Sequence, residues 1–274
     1  MPADPVLDLK TGSSIYTKKG KMSGLTVTIG ENDERTVTLT REAGAAIPKP
    51  ILISLEGSIG SGKSTLINSL RERNPGWQFI DEPVSTWQAL KNEDGEDLLQ
   101  VFYKDIKRYS YTFQNCALLS RAINIQKKIA EWRRRAALNP EEALHNVFVT
   151  ERCLETDYHV FAQMLRDDGM MDAMEWDLYK MWYNYIRETS TPLSAVVYLY
   201  TPPDVCAERI KIRGRTGEDK IGHTYLENLD KYQRTWLAHE SIPIMHYDNF
   251  GTDQQRNRVE DVENLVEDLI QKNE

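Results

Sequence analysis

The stretch that decides the architecture runs from Ile51 to Arg73 and reads ILISLEGSIGSGKSTLINSLRER. Apart from Ser54, residues 51 to 55 are apolar and show no polar alternation, which is the pattern of a strand buried on both faces. From Thr65 onward the apolar residues Leu66, Ile67 and Leu70 recur at helical spacing. Between strand and helix lies Gly57-Ser58-Ile59-Gly60-Ser61-Gly62-Lys63-Ser64, a GxxxxGKS phosphate loop running on into Thr65. Glycines let the backbone wrap a phosphate chain without Cβ clashes, and the successive amides and the helix N-terminus supply positive potential. Lys63 is placed to reach the terminal phosphates, and the Ser64 hydroxyl to ligate Mg²⁺.

Working outward, the same grammar continues. Short runs rich in β-branched and aromatic residues fall at 77 to 80, 146 to 150, 195 to 200 and 242 to 247. Segments with apolar spacing of three and four separate them, predicting helices over 64 to 73, 96 to 135, 154 to 189, 203 to 212, 223 to 240 and 257 to 271. Alternation of this kind predicts an α/β fold: a five-stranded parallel sheet with right-handed crossovers, helices on both faces and functional groups at the carboxyl ends of the strands. Residues 1 to 48 differ. GLTVTIG and RTVTLT, separated by ENDE, predict a β-hairpin, and residues 1 to 22 read as a tail. The division expected is an N-terminal extension over 1 to 48 and one catalytic domain over 49 to 274.

The chain has 274 residues, 34 Lys plus Arg against 42 Asp plus Glu, and a formal net charge of −8, which argues against a protein whose main task is to coat nucleic acid. No apolar run reaches membrane-spanning length, and the acidic start MPADPVLDLK is unlike a secretory or transit signal, so a cytoplasmic compartment is expected. Cys116, Cys153 and Cys206 are widely spaced, with no CxxC pair, and read as reduced thiols. KKIAEWRRRAAL reads as the solvated, cationic end of a long helix.

A phosphate loop alone leaves GTPases, ATPase motors and small-molecule kinases open, and there is no NKxD guanine-reading motif. Other strand ends narrow the choice. Thr150-Glu151-Arg152 puts a carboxylate suited to Mg²⁺ beside a guanidinium suited to transferring charge. Asp81-Glu82-Pro83 puts a second carboxylate at a strand end, where it could orient and deprotonate an acceptor hydroxyl. Gln114, Ala117 and Arg121 share one helix face, with Phe113 nearby, while Asp157 and Phe161 repeat the pairing of a charge with an aromatic platform. Arg209, Arg213 and Arg215, followed by Gly217, read as a lid that carries cations onto phosphates.

The segments GSIGSGKST, DEPVSTW, YTFQNCALLSR, ERCLETDYHVF, EWDLYKMWYNYI and RIKIRGRTGED, in this order, closely resemble the deoxynucleoside kinases related to deoxycytidine, deoxyguanosine and mitochondrial thymidine kinases. The resemblance covers about residues 50 to 250. It implies transfer of the γ-phosphoryl of ATP to the 5′-hydroxyl of a deoxynucleoside. It also implies Glu82 as general base with Arg152 beside it, Glu151 at Mg²⁺, and Tyr103 with Glu218 on the sugar 3′-hydroxyl. Gln114 would bond the base, Phe161 and Trp87 would wall it, and Arg209, Arg213 and Arg215 would be the lid arginines.

The Ala117, Arg121, Asp157 combination resembles that of cytidine- and purine-preferring pockets, so deoxycytidine is the expected substrate, with deoxyadenosine and deoxyguanosine after it. Cys153, the pair Tyr158-His159 and the pair Asn115-Cys116 depart from the usual family residues and bear on base preference. The alternatives are a thymidine-preferring or broad kinase and a nucleoside monophosphate kinase. The long helices 105 to 135 and 172 to 189 imply, by the same resemblance, a homodimer.

Overall fold

The computed structural model describes residues 25–29, 37–41, 47–215, 218–249 and 255–272. Strands β1 (Leu25–Ile29) and β2 (Val37–Arg41) pair antiparallel, Leu25 opposite Arg41 and Ile29 opposite Val37. The tail predicted for residues 1 to 22 and the ENDE turn lie outside the described residues.

The main sheet has five parallel strands in the order β4-β5-β3-β6-β7. Its centre is β3 (Ile51–Glu56), flanked by β5 (Val147–Glu151) and β6 (Ala195–Tyr200), with β4 (Gln78–Ile80) and β7 (Ile244–Asp248) at the edges. Every residue of β3 and β5 is buried, which is why these runs lack polar alternation. Successive side chains still go to opposite faces. Ile51, Ile53 and Leu55 pack with Leu66, Ile67 and Leu70 of α1 (Lys63–Arg73) and with Val262 and Val266 of α10 (Gln255–Lys272). On the other face, Leu52 and Phe148 meet Ile125, Ile129 and Trp132.

Register aligns the strand ends. Leu55 stands opposite Glu151, and Glu56 opposite Tyr198. The phosphate loop, Glu151-Arg152 and Asp81-Glu82 therefore leave the sheet along one carboxyl edge, where ligands bind in open α/β sheets.

Two predicted helices are divided. The stretch expected as one helix over 96 to 135 is α3 (Leu98–Lys104) followed by α4 (Ile106–Leu138). Asp105 breaks it because its backbone leaves the helical region while its carboxylate accepts the Arg108 backbone N–H at 3.0 Å, starting a new helix. The stretch 154 to 189 also divides, into α5 (Leu154–Thr156), a π-helical turn over Asp157–Ala162, α6 (Gln163–Asp167) and α7 (Ala173–Thr189). Gly169 takes φ 71, a left-handed conformation that ends α6, and Asp172 with Glu175 forms a reciprocal capping box that starts α7. A short helix not anticipated from the sequence, α2 (Val84–Ala89), begins directly after Pro83 and carries Trp87. The chain closes through α8 (Pro203–Arg213), α9 (His223–Leu237), β7 and α10. Among the described residues no helix is long and apolar enough to cross a membrane.

Candidate active site

The phosphate loop holds its shape through positive φ values. Gly57 has φ 145 and Gly60 φ 81; a Cβ on Gly57 would lie 2.5 Å from the Leu199 carbonyl oxygen, and one on Gly60 2.7 Å from that of Cys206. Only glycine fits both conformation and space. Lys63 folds over the loop, donating to the carbonyls of Gly57 (3.2 Å) and Ser58 (2.9 Å), and its Nζ lies 4.0 Å from Glu151 Oε1. Burial pushes its pKa down to about 8, with the Arg152 charge adding to the effect and Glu151 opposing it. The Ser64 hydroxyl lies 3.2 and 3.1 Å from the two carboxylate oxygens of Glu151.

Beyond the loop is a cleft of about 400 Å³. All eleven acceptor-side residues expected from the sequence line it: Glu82, Trp87, Tyr103, Phe113, Gln114, Ala117, Arg121, Arg152, Asp157, Phe161 and Glu218. A chain of buried charges organises them. Arg121 grips Asp157 with two bonds, Nε to Oδ2 at 2.7 Å and Nη2 to Oδ1 at 3.1 Å, and donates Nη1–H to the Glu151 backbone carbonyl at 2.6 Å. Its Nη2 also lies 3.8 Å from Glu82 Oε1, and Arg152 Nε approaches the same oxygen to 3.3 Å. Burial alone would raise the Glu82 pKa, but Arg152, Arg121 and Lys63 outweigh it and hold the carboxyl below its ordinary value. For Arg121, burial is outweighed by the charge and hydrogen bonds of Asp157, so its pKa is raised and it keeps its proton.

Arg152 has φ 65, the one left-handed non-glycine among the described residues. That conformation costs about 1 to 2 kcal/mol. It is held by the Arg152 N–H bond to the Leu55 carbonyl (3.1 Å) and by the Thr150 hydroxyl, which donates to the Arg152 carbonyl (3.0 Å). The turn carries the guanidinium over the Phe161 ring, 4.8 Å from its centroid. The π-helical turn brings both Asp157 and Phe161 to the cleft.

The far end of the cleft is aromatic and carries one unmatched amide. Phe113 stacks on Phe102 and meets Trp87 edge-on, with centroids 4.5 and 5.2 Å apart, while the Trp87 indole N–H is taken by Ser120 Oγ at 3.0 Å. Gln114 is 1% exposed, and neither its Oε1 nor its Nε2 has a partner among the described residues. A buried amide left so is costly unless a ligand meets both ends. Burial, with the charges of Glu218 and Glu82 among the further causes, raises the Tyr103 pKa well above its ordinary value, so its hydroxyl stays neutral. Glu218 is held by Arg213 (2.5 Å) and Arg215 (3.1 Å).

The three arginines read from the sequence as a lid do not stand together here. Arg213 and Arg215 line the cleft, whereas Arg209 turns to the loop carbonyl of Ser61 (3.3 Å) and to that of Asn249 (3.0 Å). Arg209 and Thr65 line a second cavity of about 210 Å³. Sequence reasoning missed Val84 and Leu99, apolar residues of the cleft wall, because only packing brings α2 and α3 over the site.

A divalent cation fits the pairing of Ser64 and Glu151, a hydroxyl and a carboxylate in mutual contact at the loop. Among the described residues no group of three His, Cys, Asp or Glu could hold a metal without further ligands. Such a half-shell suits Mg²⁺, which binds through one or two carboxylates with water and substrate phosphates completing its octahedron.

A sequence model of the family described as Deoxynucleoside kinase matches residues 53–271. The chain is 34% identical to deoxycytidine kinase 2 of Gallus gallus over 212 residues, covering 70% of this chain and 76% of that protein. It is 33% identical to deoxycytidine kinase of Homo sapiens over 207 residues, 69% and 76% of the two chains. To the mitochondrial deoxyguanosine kinase of Xenopus laevis it is 32% identical over 206 residues, 70% and 75%. With the family match running from the central strand to the last helix, the chain belongs to the deoxynucleoside kinase family, and its reaction is phosphoryl transfer from a nucleotide to a deoxynucleoside.

Proposed function

We propose that the protein transfers the γ-phosphoryl of ATP to the 5′-hydroxyl of deoxynucleosides in salvage, with deoxycytidine preferred and deoxyadenosine and deoxyguanosine as further substrates. The observation that carries this base preference is the unmatched Gln114 amide beside the Arg121–Asp157 pair. Cytosine presents a ring-nitrogen acceptor next to an exocyclic amine, which meets Gln114 Nε2–H and Oε1 in turn. The amine's second N–H faces the carboxylate of Asp157, which a thymine carbonyl would repel. The names of the deoxycytidine kinases that resemble the chain also favour deoxycytidine.

In this reading the aromatic walls Phe113, Trp87 and Phe161 hold the base, and Tyr103 with Glu218 fixes the sugar 3′-hydroxyl. Glu82, ionised at neutral pH, accepts the hydrogen of the 5′-hydroxyl and aims its oxygen. A carboxylate of lowered pKa is a weak base, so the proton passes late, once the transferring group has drawn charge from the attacking oxygen in a loose transition state. Arg152 flanks that carboxylate, and Lys63, Arg213 and Arg215 supply cations for the phosphate oxygens. Ser64 and Glu151 would hold Mg²⁺, which neutralises charge developing on the donor phosphates. The amides of the phosphate loop and the Ser58 and Ser61 hydroxyls, buried without partners among the described residues, supply further donors.

Residues 49 to 274 form the catalytic domain of this reading, and residues 1 to 48 an extension. The assembly is a homodimer. Met174, Leu178, Met181, Trp182 and Tyr185 form one exposed apolar face of α7, and Leu119 and Ile123 are exposed on the neighbouring α4. Like stripes on two packed helices suit a second copy applied about a two-fold axis.

Four results are expected. Glu82→Gln should lower kcat by about 10³-fold, while deoxycytidine still binds in calorimetry; retained turnover would refute the assigned base. Arg121→Met with Asp157→Ala should shift the kcat/KM ratio of thymidine to deoxycytidine upward by about tenfold or more, and an unchanged ranking would sink the pocket assignment. Because Lys63 is charged only below its pKa of about 8, kcat/KM for ATP should fall as pH rises through that value; a profile flat across that region would contradict the role given to Lys63. Trp182→Glu with Met181→Glu should yield monomers in sedimentation at assay concentration, and a wild type already monomeric there would overturn the dimer.

A further inference from the structure

Asp157 and Phe161 reach the cleft from a turn whose pitch differs from that of the helix on either side of it. The backbone runs from α5 through Asp157–Ala162 into α6 as one helix, with Thr156, Asp157, Ala162 and Gln163 all at right-handed helical φ and ψ. Within it the Gln163 N–H reaches back five residues to the Tyr158 carbonyl, one more than an α-helical bond spans. The turn thus holds an extra residue, and relaxing it to α-helix would rotate one end against the other by about 100°. Neither end is free to follow. Asp157 is gripped by Arg121, while in α6 Met164 and Leu165 are buried and Asp167 accepts from the Tyr232 hydroxyl at 2.6 Å. Turns of this pitch are rare, so a contact particular to this one has to hold it.

That contact is aromatic. Trp176, Tyr179 and Tyr183 recur at i, i+3 and i+7 along α7, on the face turned away from its exposed apolar stripe. Tyr158, the residue after Asp157, lies nearly flat against all three. Its ring centroid is 4.1 Å from that of Tyr183 at 12°, 5.3 Å from Trp176 at 19° and 6.3 Å from Tyr179 at 5°. None of these four rings lines the cleft. They pack in the same apolar cluster as Trp87, Phe113 and Ala117, and so back the wall that faces the cleft. Burial raises the Tyr179 pKa well above its ordinary value and the Asp157 charge is the next cause, which puts this ring face within electrostatic reach of that carboxylate. An ion pair between Arg187 of α7 and Glu155 of α5, at 3.8 Å and open to solvent on the arginine side, adds little.

We propose that Tyr158 is a positioning residue for the acceptor base: clasped against the ring face of α7, it keeps the turn π-helical and so keeps Asp157 and Phe161 aimed into the cleft together. It touches neither base nor phosphate and acts through those two side chains. The proposal deepens the pocket reading given above and rests on it, since Asp157 and Phe161 are there assigned to the base. What the clasp requires at position 158 is a flat ring. Phenylalanine should therefore replace Tyr158, whereas leucine, apolar but without a planar face, should not.

The test compares wild type with Tyr158→Phe, Tyr158→Leu, Tyr183→Leu and the double leucine variant, all as full chains, with ATP as donor and each of the four deoxynucleosides as acceptor. Tyr158→Leu should raise the KM of the preferred deoxynucleoside by about five- to tenfold and narrow its lead in kcat/KM over the others by a like factor, with the ATP KM unchanged. Tyr158→Phe should keep wild-type values. Tyr183→Leu should reproduce the loss, and the double variant should add little to it, because all three remove one contact. Should Tyr183→Leu fail to fold, the two variants at the half-buried Tyr158 decide alone. A Tyr158→Leu protein with a lowered melting temperature but an unchanged acceptor KM and ranking would make Tyr158 a packing residue only and overturn the proposal. A phenylalanine variant as impaired as the leucine one would overturn it too, since the ring would not be what matters. The crystal structure of Tyr158→Leu reads the turn without turnover: α-helical bonds over 157 to 162 are expected, and a turn still π-helical with Asp157 on Arg121 would sink the clasp. A wild type that ranks thymidine first would count against the proposed base preference alone, because each variant is read against the wild type's own ranking.

Discussion

One carboxylate oxygen, Glu82 Oε1, lies between two nearly inaccessible guanidinium groups, 3.3 Å from Arg152 and 3.8 Å from Arg121. The rest of the cleft is arranged around that contact. Taking each of these ions out of water costs on the order of several kcal/mol, which only close and complete pairing offsets. The pairing continues to Asp157 through Arg121 and to the loop through Glu151 and Lys63, so three cations stand against three carboxylates. Removing one member leaves an opposite charge buried and unmatched. The network thus constrains α4, the end of β5, the turn before α2 and the π-helical turn to one mutual placement.

The same balance shapes the chemistry. In the proposed reaction a Glu82 held below its ordinary pKa is ionised near neutrality, so no part of the barrier would be spent on deprotonating it. Its weakness as the proposed base would matter little when the attacking hydroxyl becomes acidic only as the phosphoryl group arrives. In the proposed reaction the cations offered to the donor differ in character: Lys63 sits close to its own titration, whereas Arg213 and Arg215 are kept in place by Glu218. Control of charge is local, and the net charge of −8 says little about it.

Much of the fold was legible because buried parallel strands and crossover helices impose different periods on the chain. ILISL, NVFVT and AVVYLY read as strands since both faces of each are covered. Breaks within helical stretches were less legible: Asp105 and the Asp-Gly-Met-Met-Asp turn at 168 to 172 end helices through caps, and a cap is a local competition that apolar spacing does not record. The helix over Val84–Ala89 escaped because its six residues offer less than two turns of pattern.

By itself the sequence determined the phosphate loop, the strand-helix alternation and the set of residue types that line the cleft, since these are fixed by local spacing and by motifs that agree over some 200 residues. Tertiary structure decided which charges touch. That Arg121 joins Asp157 to Glu82, that Arg152 must turn left-handed to reach the same oxygen, and that Arg209 parts from Arg213 to meet Ser61 and Asn249 all depend on crossings between elements far apart in the chain. Hydrogen bonds and Coulomb forces act over a few ångströms of space, and sequence spacing sets that distance only within a single helix or strand.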